Sequence, residues 1–198
     1  MALLKILNPY KWAQTVPSWS RVLNCGLWGG VLLFSFLVTS RVLAREPVVS
    51  SESELKTAFV FQFTKYVKWP ESKGHDKRLV VAVAADDEMV DALSRLDGRT
   101  SQGRTIVVIP VDDASKLEDV DLLYLGKGYI ADGDIIKKAI KYHILTISDE
   151  NDAIQKGIII GLYMADSRLR FNINLRIATK SELNLSSRLL KLAGSLIK

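Results

Sequence analysis

Thiols are nearly absent from this chain of 198 residues: its one cysteine is Cys25, and none occurs from residue 45 onward. No disulfide can brace that stretch, so its stability has to come from packing. Histidine is equally scarce. His75 lies in a charged turn and His143 at a helix end; neither has a neighbouring cysteine or second histidine to complete a metal site. A Gly-x-Ser-x-Gly elbow is missing, and the two histidines supply Ser-His-acid or Cys-His catalysis poorly. Gly126-Lys-Gly128 lacks the glycine spacing and the following Ser/Thr of a phosphate-binding P-loop, and Asp86-Asp-Glu88 stands where a dinucleotide-binding strand would be followed by glycines. A non-enzyme with no cofactor and no metal is therefore expected, with an acid pair of Asp86 and Asp149 as the remaining catalytic alternative.

Acidic residues are absent from positions 1 to 44, which carry Lys5, Lys11, Arg21 and Arg41. An almost wholly apolar run from Val22 to Val38 follows the first three, and Val42-Leu-Ala44 fits a signal-peptidase site. Residues 1–44 are read as an export signal, with an uncleaved signal anchor as the competitor because the run is about long enough to span a bilayer. Taking four of the 27 basic residues with the leader leaves 23 basic against 22 acidic side chains in 45–198. The chain's net charge of +5 thus belongs mostly to the leader. A nucleic-acid partner, which needs a concentrated basic face, is not expected.

Residues 45–198 are long enough for one domain and short for two. They open with Leu55 to Trp69, where Leu55, Ala58, Phe59, Phe63, Tyr66 and Val67 recur at helical spacing, with Ser51 or Ser53 as the cap. Phe61 and Trp69 fall outside that stripe and either complete its packing against the sheet or form a partner-binding aromatic edge. The continuous apolar run Leu79–Ala85 predicts a strand covered on both faces, Arg104–Pro110, Asp121–Leu125 and His143–Ile147 read as further strands, and helical periodicity appears between them at Met89–Leu96 and Ile135–Ile140. A short helix around Leu117 is predicted within 112–120. Gly157–Met164 and Arg168–Leu175, separated by Ala-Asp-Ser, predict an antiparallel hairpin. In its second arm Arg168, Arg170, Asn172 and Asn174 alternate with apolar residues. Two helical pieces, Ile177–Leu183 and Leu185–Lys198, are expected to finish the chain, the latter with a stripe through Leu189, Leu192 and Leu196. The sum is an α/β sandwich, mostly parallel, with a C-terminal antiparallel hairpin.

Two polar surfaces follow. A parallel sheet gathers the residues after its strands at one edge, which places Asp86, Lys127 and Asp149 together as a small-ligand site, with the Gly126-Lys-Gly128 turn suited to an anion. The Arg168, Arg170 and Asn172 side of the hairpin suits docking to an acidic protein surface.

Four segments carry a family likeness in combination: Leu55 through Trp69-Pro70, Leu145-Thr-Ile-Ser-Asp149, the hairpin ending at Leu175, and Ser186-Ser-Arg-Leu-Leu-Lys-Leu-Ala193. Residues 50 to 195 resemble the YfiR-like family of exported bacterial regulators. The resemblance implies a single Rossmann-like three-layer sandwich acting in the periplasm without catalysis. It also implies binding to the sensor region of an inner-membrane diguanylate cyclase, lowered cyclic-di-GMP signalling, and a possible homodimer. Family relatives use disulfide-forming cysteines in redox control; a chain with none after residue 44 excludes that mode.

Overall fold

A computed structural model describes residues 51–73, 77–111, 117–129 and 133–198. The leader, His75 and most of the short helix expected around Leu117 lie outside the described residues.

In chain order the elements are α1 (Glu52–Tyr66), β1 (Val67–Lys68), β2 (Arg78–Ala84), α2 (Asp87–Ser94), β3 (Thr100–Ser101), β4 (Arg104–Pro110), β5 (Leu122–Leu125) and α3 (Gly133–Lys141). They continue with β6 (Leu145–Ser148), β7 (Ile160–Ala165), β8 (Arg168–Asn174), α4 (Leu175–Lys180), β9 (Asn184–Leu185), α5 (Ser187–Leu192) and β10 (Leu196–Ile197). Eight strands form the main sheet in the order β10-β8-β7-β6-β5-β2-β4-β3. β4, β2, β5, β6 and β7 run parallel; β8 turns back on β7 in a hairpin, and β3 turns back on β4.

The strand runs are apolar on both faces because both faces are covered. On β2, Leu79, Val81 and Val83 enter one core with α1, α2 and α5, while Ala82 enters a second core with α3. β5 divides in the same way, Leu122 and Tyr124 to the first core and Leu123 and Leu125 to the second. This is the three-layer α/β sandwich expected, with the hairpin at one side. At about 25 cal/mol per Å2 of apolar surface, each fully buried leucine contributes roughly 2 kcal/mol, so these two layers supply the stability that no disulfide provides.

Helix α1 departs from the expected stripe. Ser51 caps it, with its Oγ accepting from the Glu54 amide at 3.2 Å and Glu54 returning a bond to the Ser51 amide at 3.3 Å. Leu55 and Ala58, however, are exposed, and the buried face is Ser53, Lys56, Thr57, Val60, Phe61, Phe63 and Thr64. The polar members of that face are satisfied from distant segments: Ser53 Oγ donates to Glu88 at 2.8 Å and Thr64 Oγ1 bonds to Ser101 at 2.8 Å. Those partners lie 35 and 37 residues away, and a periodicity that counts only apolar residues cannot see them. Phe59, Phe63 and Phe171 meet edge to face, with centroids 5.1 to 6.1 Å apart, and fix α1 on the hairpin.

The C-terminus also differs from the helix expected over Leu185–Lys198. Helix α5 stops at Leu192, which is 66% exposed, and the chain crosses to the sheet edge. There the Gly194 amide donates to Phe171 O at 2.8 Å and the Ile173 amide to Ser195 O at 3.0 Å, which sets β10 parallel to β8. A side chain at Gly194 would meet the hydroxyl end of Tyr163, a side chain 36% exposed that would have to move aside.

Candidate functional site

The chain runs from β2 outward to β4, then returns past β2 to β5 and on to β6 and β7. The order therefore reverses between β2 and β5, the place where open α/β sheets hold ligands beyond the carboxyl ends of their strands. Asp86 follows β2, Gly126 and Lys127 follow β5, and Asp149 follows β6. All of them line a small hollow of about 210 Å3 beside the N-terminal half of α1. A larger cleft of about 730 Å3 opens alongside and shares Glu52, Lys56, Lys127 and Asp149 with it. Its farther wall comes from the β7–β8 hairpin, including Gly161, Tyr163, Met164 and Asn172. That volume lies in the range of small-molecule sites.

The divider between the hollows is Lys56, a residue that sequence reasoning passed over. Its side chain is 10% exposed and its Nζ is 2.5 Å from Asp149 Oδ2 and 2.7 Å from Glu52 Oε1. Burial pulls the ammonium's pKa down, but hydrogen bonds to Asp149 and Glu52, together with their charge, more than reverse this and leave it above the ordinary lysine value. The same ammonium lowers Glu52 through a hydrogen bond and its charge. Behind the pair, Tyr124 is wholly buried with its hydroxyl beside the Asp149 carboxylate. Burial, and then the charge on Asp149, raise Tyr124 far above the usual phenol range, so it stays neutral. A clue existed in the sequence: positions 53, 56, 57, 60, 63, 64 and 67 keep a stricter three-four spacing than the apolar residues alone, provided serine, lysine and threonine are admitted.

Asp86 is occupied locally: it caps α2, its Oδ1 accepting from the Met89 amide at 2.9 Å. Asp149 lines the same hollow but is paired with Lys56, so the two carboxylates are committed to different partners. The Gly126-Lys-Gly128 turn is likewise occupied. The Gly126 amide donates to Ala84 O at 2.8 Å and the Gly128 amide to Glu150 Oε2 at 2.9 Å, a bond that lowers the Glu150 carboxyl. The cradle expected to hold an external anion is filled by the protein's own carboxylate.

The candidate partner surface divides. Arg168 and Arg170 are exposed, without an ion pair to any described residue, at the sheet end that carries the cleft; Asn172 is half-buried in the cleft wall. Asn174, expected beside them, is 2% exposed: it caps α4, and its Nδ2 donates to Ile154 O at 2.8 Å. Phe61 corrects the expectation of an exposed aromatic edge. Only 8% exposed, it sits in the core with Lys65 and Arg99 over its ring at 4.2 and 3.8 Å. Trp69 is half-buried, and its Nε1 donates at 3.0 Å to Asp121 O, just before β5 and so at the opposite end of the sheet from the cleft. His143 stands at φ 55 in the turn before β6, Nδ1 3.1 Å from Ser181 O, as a structural residue. Among the described residues no group of three His, Cys, Asp or Glu is placed to hold a metal ion, and no helix is long and apolar enough to cross a membrane.

The fold is a three-layer α/β sandwich with a cleft at the carboxyl ends of its parallel strands, whose polar groups are largely engaged in pairing and capping. Residues 53–194 match the model of the YfiR/HmsC-like family, DUF4154, and the chain belongs to that family. Its members are non-catalytic regulators, generally linked to control of diguanylate cyclases and typically exported. No curated protein matches the sequence. Among solved structures, the ABC domain in complex with L-Trp from Streptococcus pneumonia is similar over 61% of this chain and 55% of that one, at 12% identity and TM-score 0.43. A conserved domain protein from Vibrio cholerae O1 biovar eltor is similar over 73% and 60%, at 11% identity and TM-score 0.43. The chain spans less than two thirds of either protein, and likeness this slight speaks to neither ligand nor assembly.

Proposed function

We propose that this protein is a periplasmic regulator that binds a small ligand in the cleft at the carboxyl ends of its parallel strands. The observation that carries the reading is the 730 Å3 cleft beside the strand reversal, with a buried ion pair as its divider and an open hairpin wall. Ligand binding favours the conformation it fits better, and the shift in population cannot exceed its preference between the two states. The test is a thermal-shift screen of polar metabolites on the purified protein, repeated with Met164→Trp, which enlarges an exposed side chain of the cleft wall. Hits that vanish in the variant support the reading; a screen with no hits refutes it.

A second reading concerns the output and is favoured by family membership. The exposed Arg168 and Arg170 dock the sensor region of an inner-membrane diguanylate cyclase and lower cyclic-di-GMP signalling. Capture of that sensor region by wild type and by Arg168→Glu/Arg170→Glu tests it, and equal capture by both refutes it. Because Arg168 lies at the cleft's end of the sheet, ligand and partner would be sensed by neighbouring surfaces.

A further inference from the structure

The two faces of the β7–β8 hairpin are covered unequally. On one, Ile160 and Leu162 of β7 and Leu169, Phe171 and Ile173 of β8 pack into the core beneath α1. The alternate residues form the other face, where Gly161, Tyr163 and Ala165 stand opposite Asn172, Arg170 and Arg168. The core under α3 draws no residue from either strand. The turn before β7 reaches only Gly161, where a Cβ would lie 3.1 Å from Ile154 Cγ2. Past that point Tyr163, Arg168 and Arg170 are exposed, and neither guanidinium has an ion pair to a described residue. A fold that covers its sheet with helices on both faces thus leaves this half, among the described residues, with a helix on one side alone.

We propose that the open face of the hairpin docks an acidic helix of a partner protein, laid along β8 as a continuation of the α3 layer, with two carboxylates one turn apart on Arg168 and Arg170. This deepens the docking reading above and rests on it. Residues two apart on one face of a strand stand about 7 Å apart, and residues four apart on a helix are separated by about 6 Å along its axis. Both guanidinium forks can therefore close on carboxylates at once. Tyr163, opposite Arg170, adds an aromatic ring of the kind that anchors interface centres. A strand cannot join here instead, because β8 is already paired on both edges, by β7 and β10. An extended anionic surface such as a lipid bilayer would also meet Glu52, Glu150 and Asp152 at the same end of the sheet. A single helix meets the arginines without them.

Photocrosslinking tests the proposal, with p-benzoylphenylalanine in place of Ala165 in the purified protein and the cyclase sensor region as the probe. The expected product joins position 165 to a helical segment that carries acids four residues apart. Changing those two acids to lysine should weaken capture by wild type at least about ten-fold and restore capture by Arg168→Glu/Arg170→Glu. Crosslinks to a loop or strand, a captured helix without the acid pair, or a charge swap that restores nothing each overturn the helix while leaving a protein that docks through its arginines. Wild type that sediments with phosphatidylglycerol vesicles, and is released by the double variant, overturns it in favour of a membrane. No capture of the sensor region by wild type removes the docking reading and the helix together.

Discussion

Removing Asp149 should cost the protein far more than a surface ion pair would. In Asp149→Ala the Lys56 ammonium, on a side chain 10% exposed, loses its 2.5 Å partner and keeps only Glu52, which is half-exposed. Breaking a buried pair from one side costs about 3 to 5 kcal/mol because a desolvated charge is stranded. The surviving Glu52 contact argues for the lower end, about 3 kcal/mol, which corresponds to a fall in melting temperature of about 6 to 12 °C for a domain of this size. Lys56→Met should cost a similar amount, since it strands the Asp149 carboxylate instead. The double variant Lys56→Met/Asp149→Leu removes both charges and should return to within about 1 kcal/mol of wild type, giving a large coupling energy in the double-mutant cycle. Urea unfolding followed by tryptophan fluorescence measures all four proteins, and Trp69 is the sole tryptophan beyond the expected leader. A loss below about 1 kcal/mol for Asp149→Ala, or additive single variants, would mean that the pair behaves like an exposed one and does not hold α1 to the end of β6.

Lys73 donates to Val120 O and, at 2.7 Å, to Tyr142 O, and burial lowers it from 10.5 to about 8. The folded protein gives up this proton first, so between about pH 8 and about pH 10.5 the unfolded chain binds more protons and this group's contribution to stability rises with pH; urea midpoints at about pH 7 and about pH 9.5 should show a rise in wild type that is smaller in Lys73→Met. A methyl group at Gly126 would lie 2.9 Å from Ala85 Cβ, so Gly126→Ala should destabilise by about 1 to 3 kcal/mol, and Ala85→Gly should restore part of the loss in the same denaturation assay. Gln102 Nε2 donates to Thr64 O at 2.6 Å and Val67 O at 2.7 Å; Gln102→Ala keeps the Cβ at φ 51 and should cost about 1 to 2 kcal/mol, with hydrogen exchange accelerating first in the last turn of α1.

The strands were legible because burial on both faces leaves a plain signature: Leu79–Ala85 and Ile106–Pro110 are apolar without interruption, and the strands that hold them, Arg78–Ala84 and Arg104–Pro110, lie within a residue of the expected places. The convergence of Asp86, Lys127 and Asp149 was legible too, since a parallel sheet brings the ends of its strands to one side whatever the helices do. Hidden from view were contacts between segments far apart in the chain. Lys56 looks like a solvent-facing lysine until Asp149, 93 residues later, is placed against it. Glu150 could not be assigned to the Gly128 amide, because an internal carboxylate and an external anion make the same demand on a glycine turn. The end of the chain misled for a related reason. Leu189, Leu192 and Leu196 keep helical spacing, but the edge of β8 offered backbone groups that β10 pairs with.

Helix α1 is pinned along its whole length: to α2 through Ser53 and Glu88, to β6 through Lys56 and Asp149, and to the β3–β4 tip through Gln102. Three anchorages on three different elements leave no free pivot. The helix cannot swing as a lever while the sheet stands still, so any message it carries must travel as a tilt of the entire body.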